Sequence, residues 1–253
     1  MILLRWKWIA AVGIGAVIVA GLLVIPASRR YLRSLVVSDF VFSSVRVTYP
    51  EGTTIREMAD KTEATFPRIR DADFIRIASS SEGYLFPDTY FFPALVTATS
   101  VVATMRANFD TKTAPLRNEI AASGHSLSDV IIMASLLEKE VRTSENRRIV
   151  AGILWKRLAL GMPLQVDAVF GYINGRDTYA PSLSDLKIES PYNLYLHKGL
   201  PPGPINNPGL DALDAAANPT KTTYLYYLTG NDNLMHYATT YAAHQANRKK
   251  YLK

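Results

Sequence analysis

The stretch DVIIMASLLEKE at 129–140 carries apolar residues on almost every side of a helical wheel. A helix of that pattern cannot lie on a surface and has to run through the interior of its domain. The remainder of the chain must therefore be wrapped around it. At 253 residues, 48% apolar and 20% charged, the chain has enough material to do so as a globular protein.

The wrapping elements are legible in pieces. SVRVTY at 44–49 alternates polar and apolar residues and reads as a strand. Pro50, Glu51 and Gly52 form a turn, and Thr54 caps a short amphipathic helix. Helical patterns follow at 71–78, 99–109, 128–142 and 144–160, the last opened by Ser144 as N-cap and stopped by Gly161. The segment GLPPGPINNPG at 199–209 can be neither helix nor central strand. Beyond it, 210–217 reads as helix, TYLYYL at 223–228 as strand, and the basic C-terminus as helix. The expected class is α+β: a mixed α/β domain over 44–253, with a small β-containing lobe at 44–98 and a core at 99–253.

Ahead of that domain, residues 8–27 read WIAAVGIGAVIVAGLLVIPA without a charge. At ~20 residues the run is long enough to cross ~30 Å of hydrocarbon as one helix. It exceeds the h-region of a signal peptide, and Ile25 occupies a position where a cleavage site needs a small residue. A single-pass transmembrane anchor is therefore expected at 8–27, between a short segment at 1–7 and a juxtamembrane linker at 28–43. Arg5 and Lys7 on one side nearly balance Arg29, Arg30 and Arg33 on the other, so charge does not orient it.

Several chemistries are excluded or poorly supplied. The chain has no cysteine, which removes thiolate nucleophiles, disulfides and Cys-ligated metals. Its four histidines show no H-E-x-x-H spacing, and no metal or cofactor is expected. There is no G-x-S-x-G elbow, Walker loop or G-x-G-x-x-G. The net charge of +6 suits an anionic partner, but the basic residues are scattered and nucleic acid is not expected.

Glu138 and Glu140, at the end of the apolar helix, are the candidate acids. Glu140 shares a face with Met133, Leu136 and Leu137, and burial beside them would raise its pKa toward that of a general acid. Glu138 has Arg142 as an i,i+4 partner, whereas Glu140 has only Ser144 at that spacing. A pair of solvated charges in a fraying last turn is the alternative that the residues alone leave open. Gln165, Asp167, Tyr172 and the segment Pro191–Tyr195, with Tyr192, Asn193 and Tyr195, offer loop amides and phenols suited to sugar recognition or simply to packing.

Taken in order, EGYLFPDTYFFP (82–93), IIMASLLEKE (131–140), ENRRIVAGILWKRLALGMPLQVDAVFGY (145–172), SPYNLYLHKGLPPGPINNPG (190–209) and AAANPTKTTYLYYL (215–228) resemble the MltG/YceG-like endolytic murein transglycosylases. The resemblance runs from about Val45 to the C-terminus and includes the anchor. It implies that Glu140, the second Glu of E-K-E, is the catalytic residue. It implies a groove lined by Gln165, Asp167, Tyr192 and Asn193, with Glu82 and the FPDTY segment, including Asp88, contributing. It further implies a short form, because the gap between Arg33 and Val45 does not hold the LysM-like module of longer relatives.

The resemblance also implies the chemistry and the address. Glycan strands of peptidoglycan would be cleaved at the MurNAc-β-1,4-GlcNAc bond, leaving 1,6-anhydroMurNAc ends. The catalytic domain would face the wall from the cell membrane, with the segment at 1–7 on the cytoplasmic side and peptidoglycan synthases as candidate partners. The rivals are a hydrolytic muramidase using Asp167 or Glu189 as second carboxylate, a non-catalytic wall-binding scaffold, and a tethered polyanion binder.

Overall fold

A computed structural model of the chain describes residues 44–175 and 181–252. The expected anchor at 8–27 lies outside them. Chain contacts divide the protein into two units, one whose described residues are 44–46 and 91–96, the other comprising 47–90 and 97–253. In the smaller unit, Phe92 is buried and Phe91 exposed, as alternation along a strand requires.

Among the described residues two small sheets accompany nine α-helices. Strands β1 (Ser44–Thr48) and β2 (Thr89–Pro93) form one sheet. Helices α1 (Ile55–Thr65), α2 (Asp71–Ala78), α3 (Ala98–Thr113), α4 (Arg117–Ser123), α5 (Leu127–Glu140), α6 (Ser144–Ala159), α7 (Val169–Asn174) and α8 (Leu210–Ala217) make up most of the larger unit. Strands β3 (Tyr226–Thr229) and β4 (Met235–Ala238) form an antiparallel hairpin, and α9 (Tyr241–Tyr251) packs on it. The α+β class holds, with helices dominating.

The apolar stretch behaves as its pattern requires. In α5 every residue from Val130 to Leu137 is buried, and the helix packs on α8. Burial of Ile, Leu or Met side chains of this kind stabilises by roughly 1.5–3 kcal/mol each. Ser126 caps its N-terminus by accepting from the N–H of Asp129. At the other end Val141 turns to extended backbone, so the helix stops at Glu140 rather than near Arg142.

The proline-glycine loop is pinned against this helix. The N–H of Ile205 donates to Oγ of Ser135, and Nδ2 of Asn206 donates to its carbonyl. Gly83, at φ +83°, lets the chain pass beneath the same loop. A Cβ there would lie 2.5 Å from Cγ of Pro204 and 2.7 Å from Cγ2 of Ile131, which no other residue avoids.

Two local expectations are corrected. Ser144 is the first helical residue of α6, not its cap, and Thr143 occupies the N-cap without a side-chain hydrogen bond. Glu138 does not pair with Arg142, which is exposed. It accepts from Nη2 of Arg147 at 2.7 Å and from the N–H of Gly209 at 2.9 Å. Because α5 ends at Glu140, Arg142 is off the helix and the i,i+4 geometry is lost. Arg147 reaches back from α6 and also binds Asp211 at 2.6 Å, closing a buried charge cluster.

Candidate active site

Glu140 sits where three pieces of chain converge on the end of α5. The first is the segment after α6, in which buried Leu164 and Val166 alternate with Gln165 and Asp167. Alternation puts the two polar residues on one side. Gln165 adopts φ +52°, uncommon for a side-chain-bearing residue, while its N–H donates to the carbonyl of Leu194 at 3.2 Å. The second is the Pro191–Tyr195 segment. The third is the β3–β4 hairpin, tied to α6 by Nε of Arg157 donating to the carbonyl of Leu225.

Together these enclose a cleft of about 420 Å³ lined by Glu140, Gln165, Asp167, Tyr195 and Tyr227, with Arg157 and residues of α9 also in its lining. Glu140 is half-buried, and both oxygens of its carboxyl group have partners. Oε1 accepts from the N–H of Ala168 at 3.3 Å, and Oε2 from the Tyr227 hydroxyl at 3.3 Å. Burial pushes the Glu140 pKa up to about 7, and the nearby Asp167 charge adds to the rise against those hydrogen bonds. Asp167 is itself raised by burial, opposed by a hydrogen bond from Tyr195. The Tyr227 and Tyr195 phenols are both pushed upward, chiefly by burial, and stay protonated donors.

A second cavity of about 600 Å³ adjoins along the chain. Lys139 and Ala168 line it, next in sequence to Glu140 and Asp167, which line the first. Glu82, Arg56 and Tyr172 are also in its wall. The Glu82 carboxyl accepts from the N–H of Ile55 at 3.1 Å and from Nδ2 of Asn207 at 2.9 Å. Burial pushes its pKa up to about 7 as well. Tyr192 is half-buried, its ring 5.0 Å from that of Tyr172.

The structure thus brings Glu140, Gln165 and Asp167 to one cleft and Glu82 to the next. Tyr192, Asn193 and Asp88 line neither. Asn193 is fully buried, its Nδ2 donating to the carbonyls of Leu186 and Ile188 and its Oδ1 accepting from the N–H of Tyr195. Its polarity is spent on holding the loop. Asp88 is engaged at the start of β2 by Asn108, the N–H of Thr89 and Lys112. Tyr227, which touches Glu140, was not singled out by sequence reasoning. Its only signal was the density of tyrosine in TYLYYL.

A single carboxyl poised to be protonated near neutral pH, in an open cleft of phenols and amides, defines a site for general acid/base chemistry on a polar substrate. Residues 26–250 match the YceG-like family, and the chain belongs to that family. The endolytic murein transglycosylase of Streptococcus pneumoniae (serotype 2, strain D39) is 30% identical over 239 residues, covering 79% of this chain and 43% of its own length. The endolytic murein transglycosylase of Bacillus subtilis is 34% identical over 172 residues, covering 68% of this chain and 48% of its own. The chain thus spans about half the length of the curated relatives it matches. A putative YceG-like protein of Listeria monocytogenes superposes with a TM-score of 0.74 at 29% identity, over 80% of this chain and 75% of that one.

Proposed function

We propose that this protein is a lytic transglycosylase that cleaves peptidoglycan glycan strands within their length, with Glu140 as its acid/base. The observation that carries the reading is the Glu140 carboxyl, with a pKa near 7, in the wall of the cleft. Family membership supplies the substrate class.

In this reading Glu140 donates its proton to the glycosidic oxygen between N-acetylmuramic acid and N-acetylglucosamine. The C1–O bond breaks with its electron pair going to that oxygen. Glu140, now a carboxylate, takes the proton of the muramoyl C6 hydroxyl, and O6 bonds to C1. The product carries a 1,6-anhydro end, no water is consumed, and Glu140 ends protonated. The two donors on Glu140, Ala168 N–H and Tyr227 hydroxyl, stabilise the transient carboxylate and orient it.

One second reading has an observation behind it. Asp167 shares the cleft with Glu140, as the second carboxylate of a hydrolase would. Glu189 is exposed and outside the cleft. The Tyr195 hydroxyl donates to Oδ1 of Asp167 at 2.5 Å, which occupies that oxygen and favours the one-carboxyl reading.

The uncharged run at 8–27 supports a membrane anchor that holds the catalytic part on the wall side, with 44–253 as the catalytic domain and peptidoglycan synthases as partners. Mass spectrometry of digested glycan strands tests the chemistry. Anhydro ends with wild-type protein and none with Glu140→Gln are expected. Free reducing ends instead would make the protein a muramidase.

A further inference from the structure

Part of the lining of the cleft is cationic, and the acid/base reaction makes no use of it. Tyr241, His244 and Arg248 line the cleft from α9, at the i, i+3 and i+7 spacing that shares one helix face. Arg157 joins them from α6. Its guanidinium donates to the carbonyls of Leu225 and Leu164 and lies 5.2 Å from the centre of the Tyr226 ring. Among the described residues no carboxylate lies within 4.0 Å of Arg157 or Arg248. Nδ1 of His244 is enclosed without a hydrogen-bond partner, and its ring stacks on Tyr226 at 5.4 Å.

Uncompensated cations are expensive to gather. Arg157 is buried and Arg248 exposed, and burial first, then the charges of Arg248 and Arg157, disfavour a protonated His244. Elsewhere the fold neutralises such groups, as Arg147 shows with Glu138 and Asp211. Here Arg157 and Arg248 line one cavity with no described carboxylate within 4.0 Å of either, although Glu140 and Asp167 line it too, and a ligand bearing negative charge would pair with them.

We propose that Arg248, Arg157 and His244 form a carboxylate-binding subsite that recognises an acidic group carried by the glycan strand beside the scissile bond. The proposal rests on the reading above for the polymer, not for the bond cleaved. Two sources offer that carboxylate: the peptide stem on the muramoyl lactyl group, or the lactyl carboxylate itself where the stem is missing. Arg248 is the specificity-determining group open to test, because Arg157 holds backbone carbonyls and its loss would disturb the hairpin.

The test measures KM and kcat on three substrates: peptide-bearing strands, the same strands with carboxylates capped as methylamides, and strands stripped of their stems. Capping should raise the wild-type KM by about tenfold, the scale of one charge-assisted hydrogen bond, with kcat little changed. Arg248→Gln should show that higher KM on native strands and no further rise on capped ones. Lys249→Gln, which removes the same charge from the same helix away from the cleft, should match wild type. In peptide-bearing strands the lactyl carboxyl is amide-bonded, so the rise on capping reports the stem carboxylates. A wild-type KM that stays low on stripped strands shows that the freed lactyl carboxylate fills the same subsite, and a rise there leaves the stem as its source. Equal wild-type KM on native and capped strands, or an equal loss for Arg248→Gln on both, would overturn the proposal. Co-sedimentation of each strand type with Glu140→Gln and with Glu140→Gln/Arg248→Gln scores the subsite by binding alone. Absence of anhydro product with wild type would then count against the transglycosylase reading only.

Discussion

The Tyr195 hydroxyl donates to Oδ1 of Asp167 at 2.5 Å, and the Asp167 charge so held lies close enough to Glu140 to raise its pKa. Burial makes the larger contribution to that rise. A phenol, an aspartate and a glutamate therefore act in sequence: the first opposes the rise that burial imposes on the second, and the charge of the second helps keep the third protonated.

Activity should accordingly fall as pH rises through about 7, since only the protonated Glu140 can donate to the leaving oxygen. Asp167→Asn removes the repulsion and should move that limb to lower pH. A pH profile of kcat/KM for both proteins reads this directly, and an unmoved limb would exclude Asp167 as the tuning charge.

Stability should carry the same signature. Glu140 has a folded pKa raised above its usual 4.5, so between about 4.5 and about 7 the folded state binds more protons than the unfolded one. Stability then decreases with rising pH across that window. Glu140→Gln has no such proton to lose and should melt above wild type at pH 8, with the difference vanishing at pH 4. Calorimetry at both pH values measures it.

The buried cluster around Glu138 predicts an asymmetry between two arginines. Arg147→Met strands Glu138, whose side chain is 6% exposed, and should cost about 3–5 kcal/mol. Arg142→Met removes an exposed charge and should change stability by less than about 0.5 kcal/mol. Urea unfolding of the two variants separates them.

Asn193 should behave as a structural residue. Asn193→Ala leaves the carbonyls of Leu186 and Ile188 and the N–H of Tyr195 without their side-chain partner, a loss of about 1–3 kcal/mol. Strand affinity of the protein that remains folded should persist. Weakened binding at unchanged thermal stability would instead return Asn193 to the groove.

Glu140 was within reach of sequence reasoning because a helix's burial follows from its own periodicity. The same locality made 71–78 and 210–217 legible as helices to the residue. The short elements α4, α7, β2 and β4 were not, because their few residues carry too little periodic signal. Glu138 was set aside on the wrong partner. Sequence spacing offers only neighbours along one helix, and the true partner is on the next.

What the sequence determined by itself is a buried central helix ending in candidate acids, a rigid proline-glycine loop, and the order of motifs that identifies the family. What only the tertiary structure decided is the company that Glu140 keeps. Ala168 and Tyr227, its hydrogen-bond partners, stand 28 and 87 residues away, and Tyr195 reaches Asp167 across 28. Periodicity reports what one element does with its own faces. A pKa depends on burial and charge supplied by all the elements packed around it, and that sum exists only once the chain has folded.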